Sequence, residues 1–509
     1  MTAELHDRLR EVEREILARR PEHAIEPSLD RIAALVSLLG DPHRAYPVIH
    51  ITGTNGKTST ARMTETLLRT RGLRTGLFTS PHLSSMQERI CVDGVPLSAE
   101  RFVEVYEEIG PYLWMVDDSQ PVPLSFFEVL VGMAFAVFAD APVDVAVIEV
   151  GMGGTWDNTN VADGTVAVVT PISIDHARYL GNTVAAIAAD KAGIIKPDAI
   201  AVLAQQPAEA AEMLLRRAAD VGATVAREGL EFGVTSRELA VGGQLLDIRG
   251  LHGDYPELFL PLFGTYQASN AACALAAVEA FAGAAAGGAP GESAPLDQAL
   301  VREAFGMMSS PGRLEVVRRS PTVIVDAAHN PAGMAASMDA LAEAFPFTDL
   351  IGILAVSEDK DVPAILDQLE PAVSELVVTC NSSTRSMAPA KLAELAGAIF
   401  GPDRVRQADR LDDAIEIAVG LADDAAAAGA LPGGSGILIT GSVITAGDAR
   451  LLLAPGGETA GRETAGRETA GRETAGREAI GSATAGPETA RRETARREAT
   501  GRESGADPA

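Results

Sequence analysis

The chain holds 509 residues, 47% of them hydrophobic, at a formal net charge of −28, so it can bury roughly two to four domain cores, and its charge repels nucleic acid and anionic membranes. Its longest apolar stretches, such as 129–139, fall short of the ~20 residues of a membrane span, and the acidic start Met1-Thr-Ala-Glu-Leu-His-Asp is no secretion signal. Cys91, Cys273 and Cys380 form no CxxC pair, which fits reduced thiols in a cytoplasmic protein whose partners are small molecules.

Between about residues 4 and 39 apolar positions recur at helical spacing, clearest in Leu29, Ile32, Leu35, Val36 and Leu39, until Gly40-Asp41-Pro42 ends the pattern. The next segment, Pro47-Val-Ile-His-Ile-Thr-Gly-Thr-Asn-Gly-Lys-Thr-Ser-Thr60, runs an apolar strand (48–51) into a Gly-rich turn and a helix beginning near Thr58. A turn that frees successive backbone N–H groups at a helix N-terminus holds phosphate. Gly53, Thr54, Asn55, Gly56, Lys57, Thr58 and Ser59 form this loop. Ile51 stands where the eight-residue Walker pattern has its first Gly, so the loop is a shortened one. Lys57 is placed to meet the outer phosphates, and Thr58 or Ser59 to set a hydroxyl on Mg2+; the competing reading is an ordinary strand-to-helix turn.

Short β-branched runs follow at 143–150, 165–170 and 199–203, separated by helical stretches such as 60–71 and 126–139. A second series of strands is expected at 322–326, 350–356, 375–379 and 436–440. Strands alternating with helices predict α/β architecture with parallel sheets, here in two domains. Composition offers a linker at 283–295, rich in Gly, Ala, Pro and Ser, with a helical pattern resuming at 296–305, and a second candidate at 308–312. From Glu458 the chain decays into Glu-Thr-Ala-Gly-Arg pentads with no aromatic residue, so 456–509 is expected to be a disordered low-complexity tail.

Ligands in open α/β sheets bind at the carboxyl ends of strands. Glu149 ends the run 144–149, where a buried carboxylate needs a Mg2+ ion or a salt bridge. Gly153-Gly-Thr-Trp-Asp157-Asn-Thr-Asn160 is a turn cluster suited to ligand contacts. Asp175 and His176 follow the next strand, so His176 is either a hydrogen-bonded structural residue or a second cation ligand. Asn182-Thr183 reads as the cap of a helix over 184–192 that puts Lys191 on an apolar stripe with Ile187. Such a lysine either snorkels to the surface or loses hydration, drops in pKa and forms a carbamate with carbon dioxide.

Thr52-Gly-Thr-Asn-Gly-Lys-Thr, Thr79-Ser-Pro-His82-Leu, Glu149-Val-Gly-Met-Gly-Gly, Asp175-His176 and Asp190-Lys191-Ala-Gly-Ile-Ile-Lys-Pro197 resemble the folylpolyglutamate synthases, whose bacterial form is also a dihydrofolate synthase, within the Mur ligases. The resemblance continues through Gly264-Thr-Tyr-Gln267-Ala-Ser-Asn270, Pro311-Gly-Arg313-Leu-Glu, Asp326-Ala-Ala-His329-Asn330-Pro331 and Thr440-Gly-Ser442, covering about residues 27 to 455. It implies a P-loop Mur-ligase-like domain over 1–308 and a smaller Rossmann-like α/β domain over 313–455. In this likeness Lys57 holds ATP, Ser80 and Glu149 hold one Mg2+, and His176 with carbamylated Lys191 holds a second. Asn270, Arg313 and Asp326 contact the nucleotide, while His329 and Ser442 place glutamate and the reacting phosphate. This chain has Gly-Gly-Thr155-Trp156-Asp157-Asn158 where the family often has Gly-Gly-Arg-Leu-Asp-Ala, and Asp190-Lys191 where it usually has Glu-Lys.

The implied reaction is ATP-dependent addition of L-glutamate to dihydropteroate or a reduced folate through an acyl phosphate, with His329 as a candidate base or else part of a structural turn. The alternatives are a related ligase acting on another acid and a non-catalytic P-loop regulator. A monomer is expected.

Overall fold

The apolar run Val48–Thr52 is buried along its whole length, as a strand covered on both faces must be. In the computed structural model, which describes residues 2–21, 26–285, 294–427 and 434–454, this strand is β1, near the middle of an eight-stranded sheet. Its neighbours are β2 (Thr75–Phe78), β3 (Ile90–Val92), β4 (Val95–Pro96), β5 (Val145–Glu149), β6 (Gly164–Val169), β7 (Ile200–Leu203) and β8 (Thr224–Arg227), in the order β4-β3-β2-β5-β1-β6-β7-β8. From β2 to β8 the pairs are parallel, and β3 and β4 turn antiparallel at one edge.

Alternate residues of each strand enter opposite layers. Ile49, Ile51, Val145 and Val147 pack under helices Lys57–Thr70 and Thr265–Ala285 and an antiparallel sheet of β9 (Gly233–Ala240), β10 (Gly243–Arg249) and β11 (Asp254–Leu260). Val48, Ala146 and Ile148 meet helices Ala3–Leu17, Asp30–Leu38, Ala99–Ser119 and Phe126–Asp140 on the other face. Farther along that sheet, Ala167, Val169 and Ala201 are covered by Val184–Lys191 and Ala208–Val221. Helix Thr265–Ala285 is long and apolar enough to cross a bilayer by composition, a stretch the reading of 129–139 as the longest overlooked; most of it is buried in the protein, as a core helix requires.

A second sheet comprises β12 (Glu315–Arg319), β13 (Thr322–Val325), β14 (Asp349–Leu354), β15 (Glu375–Val378), β16 (Val405–Gln407) and β17 (Ser435–Thr440), in the order β12-β13-β17-β14-β15-β16 with β12 alone antiparallel. Helices Pro331–Ala344, Val362–Leu369 and Pro389–Phe400 cover one face, and Leu411–Ala427 with Val443–Leu453 the other.

The helical pattern over 4–39 resolves into two helices, because Pro21 follows the end of the first and Asp30 opens the second. The tail 456–509 and the centre of the Gly- and Ala-rich stretch, 286–293, lie outside the described residues. Phe138 anchors the layer beneath β2: a Cβ on Gly76 would stand 2.8 Å from its ring, and Tyr46 meets it edge-on at 6.0 Å. Phe138→Ala is expected to lower unfolding free energy by ~3–5 kcal/mol, read by denaturant titration.

Candidate active site

The carboxyl ends of β1, β5 and β6 face those of β13, β14, β15 and β17, and every side chain assigned a role from sequence lies at or beside these edges. After β1, Gly53 and Gly56 hold φ of 148° and 90°. A Cβ on Gly53 would stand 1.8 Å from Thr170 Oγ1, and one on Gly56 2.4 Å from Asn270 Oδ1, so only glycine fits either position. Asn270, itself held to Gln267 by a 3.0 Å hydrogen bond, thus closes against the loop. Helix Lys57–Thr70 starts without a side-chain cap, which leaves its first-turn amides suited to an anion. The expectation of successive free amides holds only from Gly56 onward: Thr54 and Asn55 N–H groups both donate to Pro171 O, and Thr54 Oγ1 donates to Ser173 O.

Lys57 Nζ donates to the carbonyls of Gly53 and Thr54 at 3.2 Å each. Burial draws its pKa down, against the pull of Glu149 and Asp175. Glu149, 1% exposed at the end of β5, accepts from Thr58 Oγ1 at 2.8 Å and from Ser80 N–H at 3.2 Å. Burial raises its pKa, opposed by Lys57 and these two donors. Thr58 is therefore the loop hydroxyl beside the carboxylate; Ser59 turns away to Ser310 at 2.8 Å. Carboxylate and hydroxyl oxygens with adjacent phosphate are the donors Mg2+ takes, so Glu149, Thr58 and Ser80 fit that ion.

His176 follows Asp175 in the left-handed region, φ 51°, and burial pushes its imidazole down to about 3, leaving it neutral at pH 7. Lys191 is buried at the end of its helix, where Nζ donates to Gly53 O at 2.8 Å. Burial, reinforced by Lys57, lowers its pKa to about 7, so neutral amine is present at neutral pH. A neutral imidazole and a reactive amine suit the second proposed cation site. Among the described residues no three His, Cys, Asp or Glu side chains converge as a ready metal-ligand set.

Asp175 joins the two sheet-centred bodies. Its carboxylate accepts from Lys360 Nζ at 2.7 Å and from Asn330 Nδ2 at 3.3 Å, with His329 Nε2 at 3.5 Å. Burial alone would raise its pKa, yet His329, His176 and Lys360 outweigh this and hold it far below the usual carboxylate range. Asn330, the cap of helix Pro331–Ala344, exchanges two amide hydrogen bonds with Asn55 of the phosphate loop at 3.0 and 3.3 Å. His329 Nδ1 lies 3.0 Å from Ala327 O and Nε2 3.5 Å from an Asp175 oxygen, so both ring nitrogens already face partners within the protein. Asp326 spends its oxygens within its own body on Leu314 N–H, Ala328 N–H and Ser337 Oγ. Arg313 bears electrostatically on Lys57 and Glu149.

Beside this cluster opens a cavity of about 450 Å³ whose walls include Phe126, Phe127, Met152 and Trp156 from the first body and His329, Lys360, Arg385 and Ser442 from the second. Ser442 caps helix Val443–Leu453 through Ile444 N–H at 3.1 Å. Sequence reasoning missed Lys360 and the bridging role of Asn330. The signal for Lys360 was its place in Ser357-Glu358-Asp359-Lys360, just past a strand already expected at 350–356.

Because Asp175 is depressed in the folded chain, its ion cluster stabilises fully above about pH 4, the unfolded value, and progressively less as pH falls toward the folded one. Asp175→Asn is expected to cost ~3–5 kcal/mol, as when a buried pair loses one member. The gap from the wild type should persist down to about pH 4 and shrink below it, checked by urea titrations across pH. Gly56→Ala, which meets Asn270 and strains φ, should abolish nucleotide binding while leaving the thermal transition in place, checked by calorimetric titration with ATP.

Two family models match the chain: the Mur ligase middle domain over residues 126–278 and the Mur ligase glutamate ligase domain over 312–443. The dihydrofolate synthase/folylpolyglutamate synthase of Mycobacterium tuberculosis is 52% identical over 87% of this chain and 93% of its own length. A folylpolyglutamate synthase of the same organism, solved with ADP, superposes with a TM-score of 0.84 at 51% identity over 89% of this chain and 99% of that one. A solved FPGS–AMPPCP–folate complex gives 0.72 at 29% identity over 88% and 100%. With a phosphate loop, a buried carboxylate beside it and a facing glutamate-ligase body in one cleft, this chain belongs to the folylpolyglutamate synthase/dihydrofolate synthase family of Mur ligases.

Proposed function

We propose that the chain is an ATP-dependent ligase that adds L-glutamate to dihydropteroate, to the glutamyl carboxylate of reduced folates, or to both. The observation that carries this reading is the meeting of Lys57, Glu149 and Thr58 with Asp175, Lys360 and His329 beside a cavity walled by Phe126, Phe127 and Trp156. The relatives named above are dihydrofolate and folylpolyglutamate synthases, and one neighbouring complex contains an ATP analogue with folate.

In this reading residues 1–308 hold the nucleotide and 313–455 receive glutamate. Aromatic and apolar walls suit a flat pteridine, while the phosphate loop closes the end where its carboxylate must arrive. That carboxylate attacks the γ-phosphate, giving an acyl phosphate and ADP; the glutamate amine then attacks the acyl carbon and phosphate leaves. Like charges meet in the first step, and Lys57 and Arg313 lower that repulsion. Mg2+ ions held by Ser80, Thr58 and Glu149, and by His176 with a carbamate on Lys191, would add to this neutralisation. The near-neutral pKa of Lys191 supplies the free amine that carbamate formation consumes. His329 acts here as a partner of Asp175 rather than as a base, and Asn55 with Asn330 keeps the bodies closed so that water is excluded from the acyl phosphate. One chain supplies every group named, so a monomer in the cytoplasm suffices.

Purified protein given ATP, Mg2+, glutamate and either dihydropteroate or a reduced folate should release ADP only when both acceptor and glutamate are present. Mass analysis should find products heavier by one or more glutamyl units. ATP turnover indifferent to both would remove the ligase reading, and products carrying a different amino acid would favour the related-ligase alternative. Lys57→Ala is expected to lower kcat by about 10²–10³-fold, as loss of a transition-state donor does. Protein equilibrated with ¹³C-bicarbonate should show a carbamate carbon resonance that Lys191→Ala abolishes, and its absence from active wild-type protein would rule the carbamate out.

A further inference from the structure

One side chain of the three-stranded sheet crosses to the second body. Arg237 on β9 meets Glu343 through two parallel hydrogen bonds, Nη1 to Oε1 at 2.7 Å and Nη2 to Oε2 at 2.5 Å, and gives its Nε–H to Gln244 Oε1 at 2.5 Å. The two side chains are 16% and 36% exposed, so this is the strong, forked and mostly covered form of an ion pair. Glu343 lies in the last turn of helix Pro331–Ala344, where the helix dipole opposes a negative charge. Its carboxylate is therefore held by Arg237 and not by its own helix. The other end of that helix is capped by Asn330, the residue bonded to Asn55 of the phosphate loop.

From Arg237 the contacts run inward. Gln244 is fully buried; its carbonyl faces Arg237, and its amide nitrogen donates to Leu262 O at 2.9 Å and Gly264 O at 3.1 Å. A flipped amide would set N–H groups against the guanidinium, so Arg237 fixes which way Gln244 points. Gly264 O also accepts Gln267 N–H at 3.1 Å, which starts helix Thr265–Ala285. Gly264 has φ 93°, and a Cβ there would stand 2.7 Å from Ala340 Cβ of helix Pro331–Ala344, while Phe263 meets Phe345 at 5.0 Å. The turn is thus gripped from both bodies. Less than two helical turns farther on lies Asn270, whose Oδ1 already excludes a Cβ on Gly56. That contact has no slack, so a small displacement of the helix start changes how Asn270 meets the phosphate loop.

We propose that Arg237 is a positioning residue for the nucleotide site: through Gln244 and the Gly264 turn it sets Asn270 against the phosphate loop, and Glu343 of the second body holds Arg237 in place. The inference rests on the reading of Asn270 as a nucleotide contact within the ligase proposed above. It makes nucleotide affinity depend on a contact between the bodies that lies outside the Asp175 cluster.

The test is calorimetric titration with ATP, together with steady-state kinetics, on wild type, Arg237→Met, Arg237→Lys, Gln244→Met, Glu343→Gln and the Arg237→Met/Glu343→Gln double variant. Arg237→Met should weaken ATP binding and raise KM for ATP roughly 2- to 30-fold, the range for a substitution that acts on a site through intervening contacts. KM for glutamate and for the pterin substrate should stay at wild-type values. Arg237→Lys, which keeps the charge but loses the fork, should fall between. Gln244→Met should reproduce the loss, and the double variant should bind ATP no more weakly than Arg237→Met alone, because Glu343 acts only through Arg237. A lowered thermal transition with unchanged ATP affinity overturns the proposal. So does a KM rise shared equally by all three substrates, or losses that add in the double variant. Should Arg237→Met lose its thermal transition, the same comparisons are read from Glu343→Gln, the more exposed member of the pair. A wild type that binds ATP but adds no glutamate would count against the ligase reading, while the ATP affinities would still decide the role of Arg237.

Discussion

Two buried carboxylates, Glu149 and Asp175, face one crevice, and most of the surrounding structure answers the cost of keeping their charge out of water. Glu149 receives a hydroxyl, a backbone amide and the nearby charge of Lys57, which together oppose rather than cancel the effect of burial. Asp175 is compensated differently, by groups that reach it from the second body. A charge that can be satisfied only by the opposite side of a cleft makes closure of that cleft part of its own solvation. Glu149 is complete within the first body; Asp175 is complete only when both bodies are in place.

This difference divides labour along the chain. Glu149 is satisfied from within the first body, by Thr58 and Ser80. The asparagine pair and the Asp175 cluster depend on both bodies at once, which suits a reaction whose intermediate must be shielded from water before the amine arrives. Ser59 with Ser310 adds a third contact, placed where the chain passes from one body to the other.

What was legible in the sequence follows the same line. Central strands read cleanly because burial on both faces demands unbroken β-branched runs, as in Val48–Thr52 and Ser435–Thr440. The edge elements did not: β4 has two residues, and β9 carries exposed polar positions that hide any alternation. The phosphate loop was legible because its glycines meet a steric demand that no other residue satisfies. Lys360 and Asn330 were not, since a residue's partner across a cleft leaves no mark on its neighbours in sequence. The strand ends were visible; which of their loops would meet was a property of the tertiary arrangement alone.

The departures from the family pattern near Trp156 are intelligible on the same terms. Thr155 stands where an arginine is common, and its N–H and hydroxyl both donate to Asp190 O, while a Cβ on Gly193 would lie 2.2 Å from Thr155 Oγ1. The position is thus committed to bracing the end of the Lys191 helix. Trp156 turns to the cavity instead, and Asp157 turns inward, where burial raises its carboxyl to about 6 against the donors of Thr159 and Met152. Trp156 thereby adds aromatic surface to the cavity wall beside Phe126 and Phe127.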